Sequence, residues 1–280
     1  MRIGLHVSGL VAALLLGGGL LAGCESPRPA ITAGADGAQA GAEVRQALAP
    51  TGTLRIAAYP GSPTSLVRRA GSDDLRGVSV DIGRELALRL GVTARIVELE
   101  RVEQVVDALR SGQADMTVTN ATAARATLVD FTEPLVALEL GYLVPADSPI
   151  ASMADVDRAG VRVGVSQGSS SQAALGRAYR QASLVAAPSL QAAAEMLNDH
   201  RIDAFATNKG ILFQLADGLP GARVLEGRWG TESLAIAVPK GRERGRSWLE
   251  SFAASVRRQG LVQRAAERAG LRGLAGLETR

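Results

Sequence analysis

The chain has 280 residues and a formal net charge of only +3, from 31 basic and 28 acidic side chains. Such a mixed surface argues against nucleic-acid binding, because the densest basic stretch, Arg242 to Arg246, is broken by Glu243 and carries no interleaved aromatics. Hydrophobic residues make up 46% and aromatics 3%, so the core is expected to be built from Leu, Val, Ile and Ala, while two histidines and one cysteine leave no metal cluster of recognisable spacing and no cofactor motif.

The first 23 residues read as an export signal, with Arg2 as its positive start and Leu10 to Leu21 nearly all Leu, Val, Ala and Gly. That run is too short and too glycine-rich to span a membrane comfortably. It ends in Leu21-Ala22-Gly23-Cys24, which looks like a bacterial lipobox, and Cys24 would then carry the lipid. An ordinary cleaved signal with an incidental cysteine is the competing reading. A sole cysteine forms no internal disulfide, so the folded part depends on its core. Residues 24–52 read as a flexible Ala, Gly and Pro-rich tether, with a short helix allowed in the last third of residues 25–50.

From Thr53 short β-branched runs alternate with amphipathic helices. Strands are predicted at 54–59, 94–99, 114–118, 161–166, 183–187, 202–207 and 233–239. Helices are predicted at 80–91, 102–112 and 190–200, with apolar residues at i, i+3, i+4 spacing. This alternation argues an α/β protein. Residues 141–165 leave one strand, turn through two prolines and enter another, as a crossing between lobes would, and the final strand with two basic helices returns to the first lobe. The expected division is 53–140 plus 235–280 as one lobe and 141–234 as the other, with the hinge segments.

Three loops at strand ends are poor in bulk and rich in donors: TNATAAR after 114–118, SQGSSSQ after 161–166 and TNK after 202–207. Ligands of open α/β sheets bind beyond such strand ends. In the first loop Thr122 is a natural N-cap and places Arg125 at the third helical position, beside exposed N–H groups, with Thr119 and Asn120 just ahead. A carboxylate there would receive fork-like guanidinium bonds and the field of the helix start. Alternatively, Arg125 pairs with Asp130 or Glu133 as a surface ion pair, and the serine run merely caps the next helix. Tyr59, Tyr142 and Trp229 sit at strand ends or crossings and are candidate cleft aromatics, with core packing the competing reading for each.

The ordered series TLRIAAY (53–59), GVSVDIGRELALRLGV (77–92), TAARATLVDFTEPL (122–135), VRVGVSQGSSSQ (161–172), RIDAFATNK (201–209) and LAIAVPKG (234–241) resembles the periplasmic solute-binding proteins of ABC transporters, family 3, the polar amino acid type. The resemblance implies a two-lobed periplasmic-binding-protein-like type II α/β fold, each lobe a mixed sheet flanked by helices, joined by two hinge strands and closing on a ligand. It also implies that Arg125 grips the ligand's carboxylate, that Ser169 or Ser170 bonds the same group, and that Gly168 lets the backbone approach. The acid that commonly holds the ligand's ammonium falls on Asn208, and another frequent acid falls on Tyr59. The covering aromatic falls on Val102, and the TNATAAR loop is about two residues shorter than the usual form. An ammonium facing an amide and a phenol, beside Lys209, is less well compensated than one facing a carboxylate. An amino acid remains the default ligand, and a carboxylate or small anion without an amine gains weight.

The expected function is that of a lipid-anchored receptor at the periplasmic face of a bacterial membrane or cell surface, handing a small polar solute to an ABC permease. A cyclohexadienyl or arogenate dehydratase on the same fold is the alternative, but where its acid is expected stands Gln172, which cannot protonate a leaving hydroxyl. His6 lies in the signal and His200 ends a helix, so no Ser-His-Asp set is plausible and no enzyme is expected. A sensor role is weakened by a chain ending at Arg280 without a second span or output domain.

Overall fold

The computed structural model describes residues 40–69 and 71–275. The export signal, Cys24 and the tether through Gln39 lie outside the described residues. The short helix allowed before the first strand forms as α1 (Ala42–Leu48). It is seated on the protein: Ala40, Leu48 and Ala49 are buried, and Leu48 Cδ2 lies 2.7 Å from where a Cβ on Gly245 would stand. Within residues 40–52, read from sequence as the end of a tether, Ala40 and one side of α1 are thus packed, because this helix has an apolar side to bury.

The first lobe opens with β1 (Thr53–Ala58), a hairpin of β2 (Val67–Arg68) and β3 (Leu75–Arg76), then α2 (Val78–Leu90), β4 (Thr93–Glu98) and α3 (Val102–Arg110). It continues through β5 (Thr117–Asn120), α4 (Ala123–Ala126) and β6 (Val129–Phe131). The long strand β7 (Val136–Val144) leads to β8 (Arg162–Ser166), α5 (Ser170–Ala178), β9 (Ser183–Ala187) and α6 (Leu190–Asn198). Then come β10 (Ala204–Asn208), α7 (Lys209–Ala216), β11 (Arg223–Val224) and the second long strand β12 (Gly230–Pro239), and the described chain closes with α8 (Glu243–Arg258), α9 (Leu261–Arg268) and β13 (Leu274–Ala275). The strands predicted from sequence all form, with ends shifted by at most three residues.

Strand β1 runs parallel to β4, and the Ala57 N–H donates to Met116 O at 2.9 Å, tying β1 to the lead-in of β5. β5 and β6 are antiparallel to β12. On the other side β9, β8 and β10 are parallel, and β10 is antiparallel to β7. Both lobes are therefore mixed sheets. β7 and β12 pair antiparallel with each other, Val136 opposite Leu234 through Leu140 opposite Gly230.

These two strands pass from one apolar core to the other. Leu138 of β7 and Leu234, Ile236 and Val238 of β12 pack with Leu54, Ile56, Leu86 and Phe252. Further along β7, Tyr142 and Val144 pack with Val163 and Val165. Leu143 packs with Phe205, Leu197 and Ile202. Alternate residues of an extended strand face opposite sides, so one strand can seal the layers on both faces. The result is the two-lobed type II fold with two connecting strands.

Candidate functional site

The loop after β5 folds as its sequence dictates. Thr122 Oγ1 accepts the Arg125 N–H at 3.2 Å and caps α4. The cap turns the Arg125 side chain back over β5, where Nη1 donates to Thr119 Oγ1 at 2.8 Å and to Asn120 O at 3.4 Å. α4 is only four residues long, so the helix-start field expected from sequence is slight and the guanidinium itself is the positive charge here. Its supposed surface partner Asp130 instead pairs with Lys240 at 3.0 Å, and Glu133 is exposed. Among the described residues no acidic oxygen comes within 4.0 Å of Arg125. Burial holds its pKa below the usual guanidinium value.

Arg125 lines a small cavity of about 40 Å³. Tyr59, Thr119 and Asn120 line it from the first lobe, and Ser169, Ser170 and Asn208 from the second. Val102 stands in its wall where the family's covering aromatic was expected. Seven of the nine ligand-site residues predicted from sequence therefore share one cavity.

Thr122 and Gly168 are not in its lining. Thr122 is consumed as the cap. Gly168 has φ +68°, its N–H donates to Gln172 Oε1 at 2.7 Å, and a Cβ there would sit 2.3 Å from Glu103 Oε2 at the start of α3. What approaches this glycine is the other lobe. Gln172, held in that loop bond, is also outside the cavity lining.

The serine loop does two things. Ser169 Oγ accepts the Gln172 N–H at 3.1 Å and caps α5, so the capping reading holds for it. Ser170 Oγ accepts from Asn120 Nδ2 at 3.0 Å across the lobes. Each hydroxyl keeps its own proton to donate.

Asn208 does not stand alone as the missing acid's substitute. Its Oδ1 accepts the Ile211 N–H at 3.0 Å, capping α7, and its Nδ2 donates to Glu232 Oε1 at 2.8 Å. Glu232, near the start of β12, lines the cavity and is 8% exposed. Burial pushes its carboxyl up to about 7, partly opposed by Arg125 and Asn208. The sequence reading missed it, although a signal existed: Glu232, Leu234, Ile236 and Val238 fall at period two, so a carboxylate sits in register with three core aliphatics. The cavity, expected to lack a carboxylate at positions 59 and 208, thus has one on another strand.

Burial and the field of Glu232 raise the Tyr59 hydroxyl above the ordinary phenol value, so it stays protonated. Lys209 is engaged with Glu139 at 2.6 Å. Tyr142 accepts from Tyr179 at 2.8 Å and Trp229 Nε1 donates to Gly141 O at 3.0 Å, so these two aromatics pack in the second lobe outside the cavity lining.

Residues 54–270 match the family described as bacterial extracellular solute-binding proteins, family 3. The chain belongs to this family. Solved structures share the family-3 fold at low identity. A solute receptor for L-cysteine from Neisseria gonorrhoeae has TM-score 0.72 and 24% identity over 84% of this chain and 99% of its own. An amino acid ABC transporter substrate-binding protein from Streptococcus pneumoniae, bound to L-arginine, has TM-score 0.72 and 20% identity over 84% and 99%. An ancestral amino acid-binding protein described as a precursor of cyclohexadienyl dehydratase has TM-score 0.68 and 23% identity over 78% and 96%. No curated protein matches the chain in a sequence search. Among the described residues of this family-3 protein, no helix is long and apolar enough to cross a membrane.

Proposed function

We propose that this family-3 protein is an extracytoplasmic receptor, held to the membrane through a lipid on Cys24, that captures a small carboxylate-bearing solute and delivers it to an ABC permease. The observation that carries the reading is Arg125: a guanidinium in the cavity wall, oriented by Thr119 and Asn120, with no acidic partner within 4.0 Å among the described residues. Charge-assisted bonds from such a fork to a carboxylate contribute about 1.5–3 kcal/mol each. The Ser169 and Ser170 hydroxyls face the same cavity from the other lobe, so one anion can bond both lobes and favour their closed arrangement. Residues 53–140 with 235–280 would form the anchored lobe and 141–234 the closing one. The L-cysteine and L-arginine of the solved relatives fit a carboxylate at this place.

The test is a thermal-shift screen of L-amino acids and organic acids on wild type and Arg125→Ala. At least one carboxylate should stabilise wild type and none the variant. Stabilisation retained by the variant would reject the assignment.

A dehydratase reading keeps one supporting observation, the cleft carboxyl of Glu232 poised near 7, a range suited to a general acid. Incubation with prephenate or arogenate is expected to give no product. Turnover abolished by Glu232→Gln would put the enzyme first.

A further inference from the structure

We propose that the groove between α2 and α9 on the first lobe docks onto the phosphates of an anionic phospholipid surface, laying this lobe against a membrane. The groove shares no lining residue with the cavity of Arg125.

Sequence spacing builds it. Asp81, Arg84 and Leu88 in α2, and Leu261, Arg264 and Arg268 in α9, recur at three- and four-residue steps, so each set lies along one helix face. Together they line an open groove of about 400 Å³. The opposite faces supply the core: Ile82, Leu86 and Leu90 from α2, Val262 and Ala266 from α9. The groove face is therefore not needed for packing, yet it carries Leu88, whose side chain is 70% exposed. A leucine left in water forgoes the gain of burial that a partner could supply.

Charge selects the partner. Arg84, Arg264 and Arg268 are exposed. Of the acids beside them, Glu85 is taken up by Arg89 at 2.7 Å, and Glu267 accepts from Gln263 at 2.9 Å. Asp81 lies beneath the rim with its side chain 10% exposed, and neither of its oxygens receives a hydrogen bond. Arg84 Nη1 and Arg268 Nε stand 3.6 and 3.7 Å from it. Asp81 thus draws two guanidinia over the groove by charge while leaving their donors unspent. Burial raises its carboxyl above the ordinary value, which lessens its hold on them. Arg84 gives one bond to Leu75 O and Arg264 one to Gln259 O, and a guanidinium has five donors, so each fork can still serve a phosphate.

Three exposed guanidinia around an exposed leucine suit an interface where phosphates meet acyl chains. The course of the chain favours a membrane as the occupant. The Ala40 N–H donates to Arg89 O at 3.2 Å, one residue beyond Leu88, so the chain joins the body at this end of α2. Cys24 stands sixteen residues earlier, an extended reach of about 55 Å at most. A lipid on Cys24 would keep the groove close to a bilayer.

The test is sedimentation of the full chain from residue 24, carrying Cys24→Ser so that no acyl chain drives binding. The vesicles are phosphatidylcholine alone or an equimolar mixture with phosphatidylglycerol. Binding to the mixture should be tighter by roughly ten-fold or more, and the gain should vanish in molar salt. The triple variant Arg84→Gln, Arg264→Gln, Arg268→Gln should lose the gain. Leu88→Gln, which alters a side chain the core does not use, should weaken binding about three-fold with an unchanged melting point. A control that removes three exposed arginines of the second lobe, Arg177→Gln, Arg180→Gln, Arg201→Gln, should bind as wild type does. Equal binding to both vesicles, a gain kept by the groove variants, or an equal loss in the control would overturn the proposal, the last by reducing the effect to net charge. Self-association abolished by Leu88→Gln would make the occupant a second copy of the chain and overturn it as well. None of these outcomes touches the role of Arg125.

Discussion

Asn120 Nδ2 donates to Ser170 Oγ at 3.0 Å, and this bond joins the end of β5 in one lobe to the start of α5 in the other. The Asn120 Oδ1 also accepts the Ser233 N–H of β12 at 3.2 Å, so one amide touches both lobes and a connecting strand. Asn120→Ala should weaken ligand binding about ten-fold, as expected when a bond of about 1 kcal/mol is lost together with its orienting effect. Small-angle scattering of the unliganded variant should show a larger radius of gyration than wild type. An unchanged radius would mean that the bond does not hold the lobes together.

Arg125→Ala should abolish ligand-induced stabilisation while the unliganded melting point moves by a few degrees at most. Among the described residues the guanidinium donates only to Thr119 and the Asn120 carbonyl, and the affinity loss should be a hundred-fold or more from two charge-assisted bonds of about 1.5–3 kcal/mol each. Isothermal titration with the best ligand of the screen provides the number.

The pH dependence of stability carries the sign of the raised Glu232 carboxyl. Its carboxyl, at about 7 in the folded protein against an ordinary 4.5, contributes stability that is fully present below 4.5 and lost as pH rises through 7. Ionising it therefore costs the unliganded protein about 3 kcal/mol. Glu232→Gln should melt higher than wild type at pH 8 and nearly level with it at pH 4.5. A variant that melts no higher than wild type at pH 8 contradicts the raised carboxyl.

Asn208→Asp is a case where geometry reverses the expectation from the family pattern. Restoring the common acid should by that pattern improve amino acid binding. Here the new carboxylate would face Glu232 where the amide now donates at 2.8 Å, placing like charges together. Binding should weaken at pH 7, whereas improved affinity would show that the ammonium sits nearer position 208.

Gly168→Ala should weaken ligand affinity by about ten-fold. A non-glycine residue at φ +68° costs about 1–2 kcal/mol, and its Cβ would press 2.3 Å from Glu103 Oε2 on the opposing lobe. Adding Glu103→Ala relieves the steric part and should restore part of the affinity.

Most strands and the Arg125 loop were legible in the sequence because local signals suffice for them: β-branched runs between amphipathic helices, and a threonine three residues before an arginine. What escaped depends on contacts distant in sequence. α7 has no loop before it, since Asn208 is both the last residue of β10 and the cap of the helix. β6 and β11 are strands of three and two residues that exist only because β12 and β7 offer edges to pair with. Glu232 was overlooked for a directional reason. Parallel sheets place site residues beyond the carboxyl ends of their strands, but β12 is antiparallel to its neighbours and presents its amino end to the cavity.

The seating of α1 against α8 decides which half of the molecule a membrane leash would immobilise. Ala40 enters the body beside the first lobe, and Arg242 grips the Ala47 carbonyl at the same place, so a pull along the N-terminal chain is borne by the lobe that carries Arg125. On the receptor reading, the half bearing the serine loop would then be the one to swing. A dye ahead of Ala40 would be blind to that swing, and one on the outer face of α6, paired with another on α2, would report it.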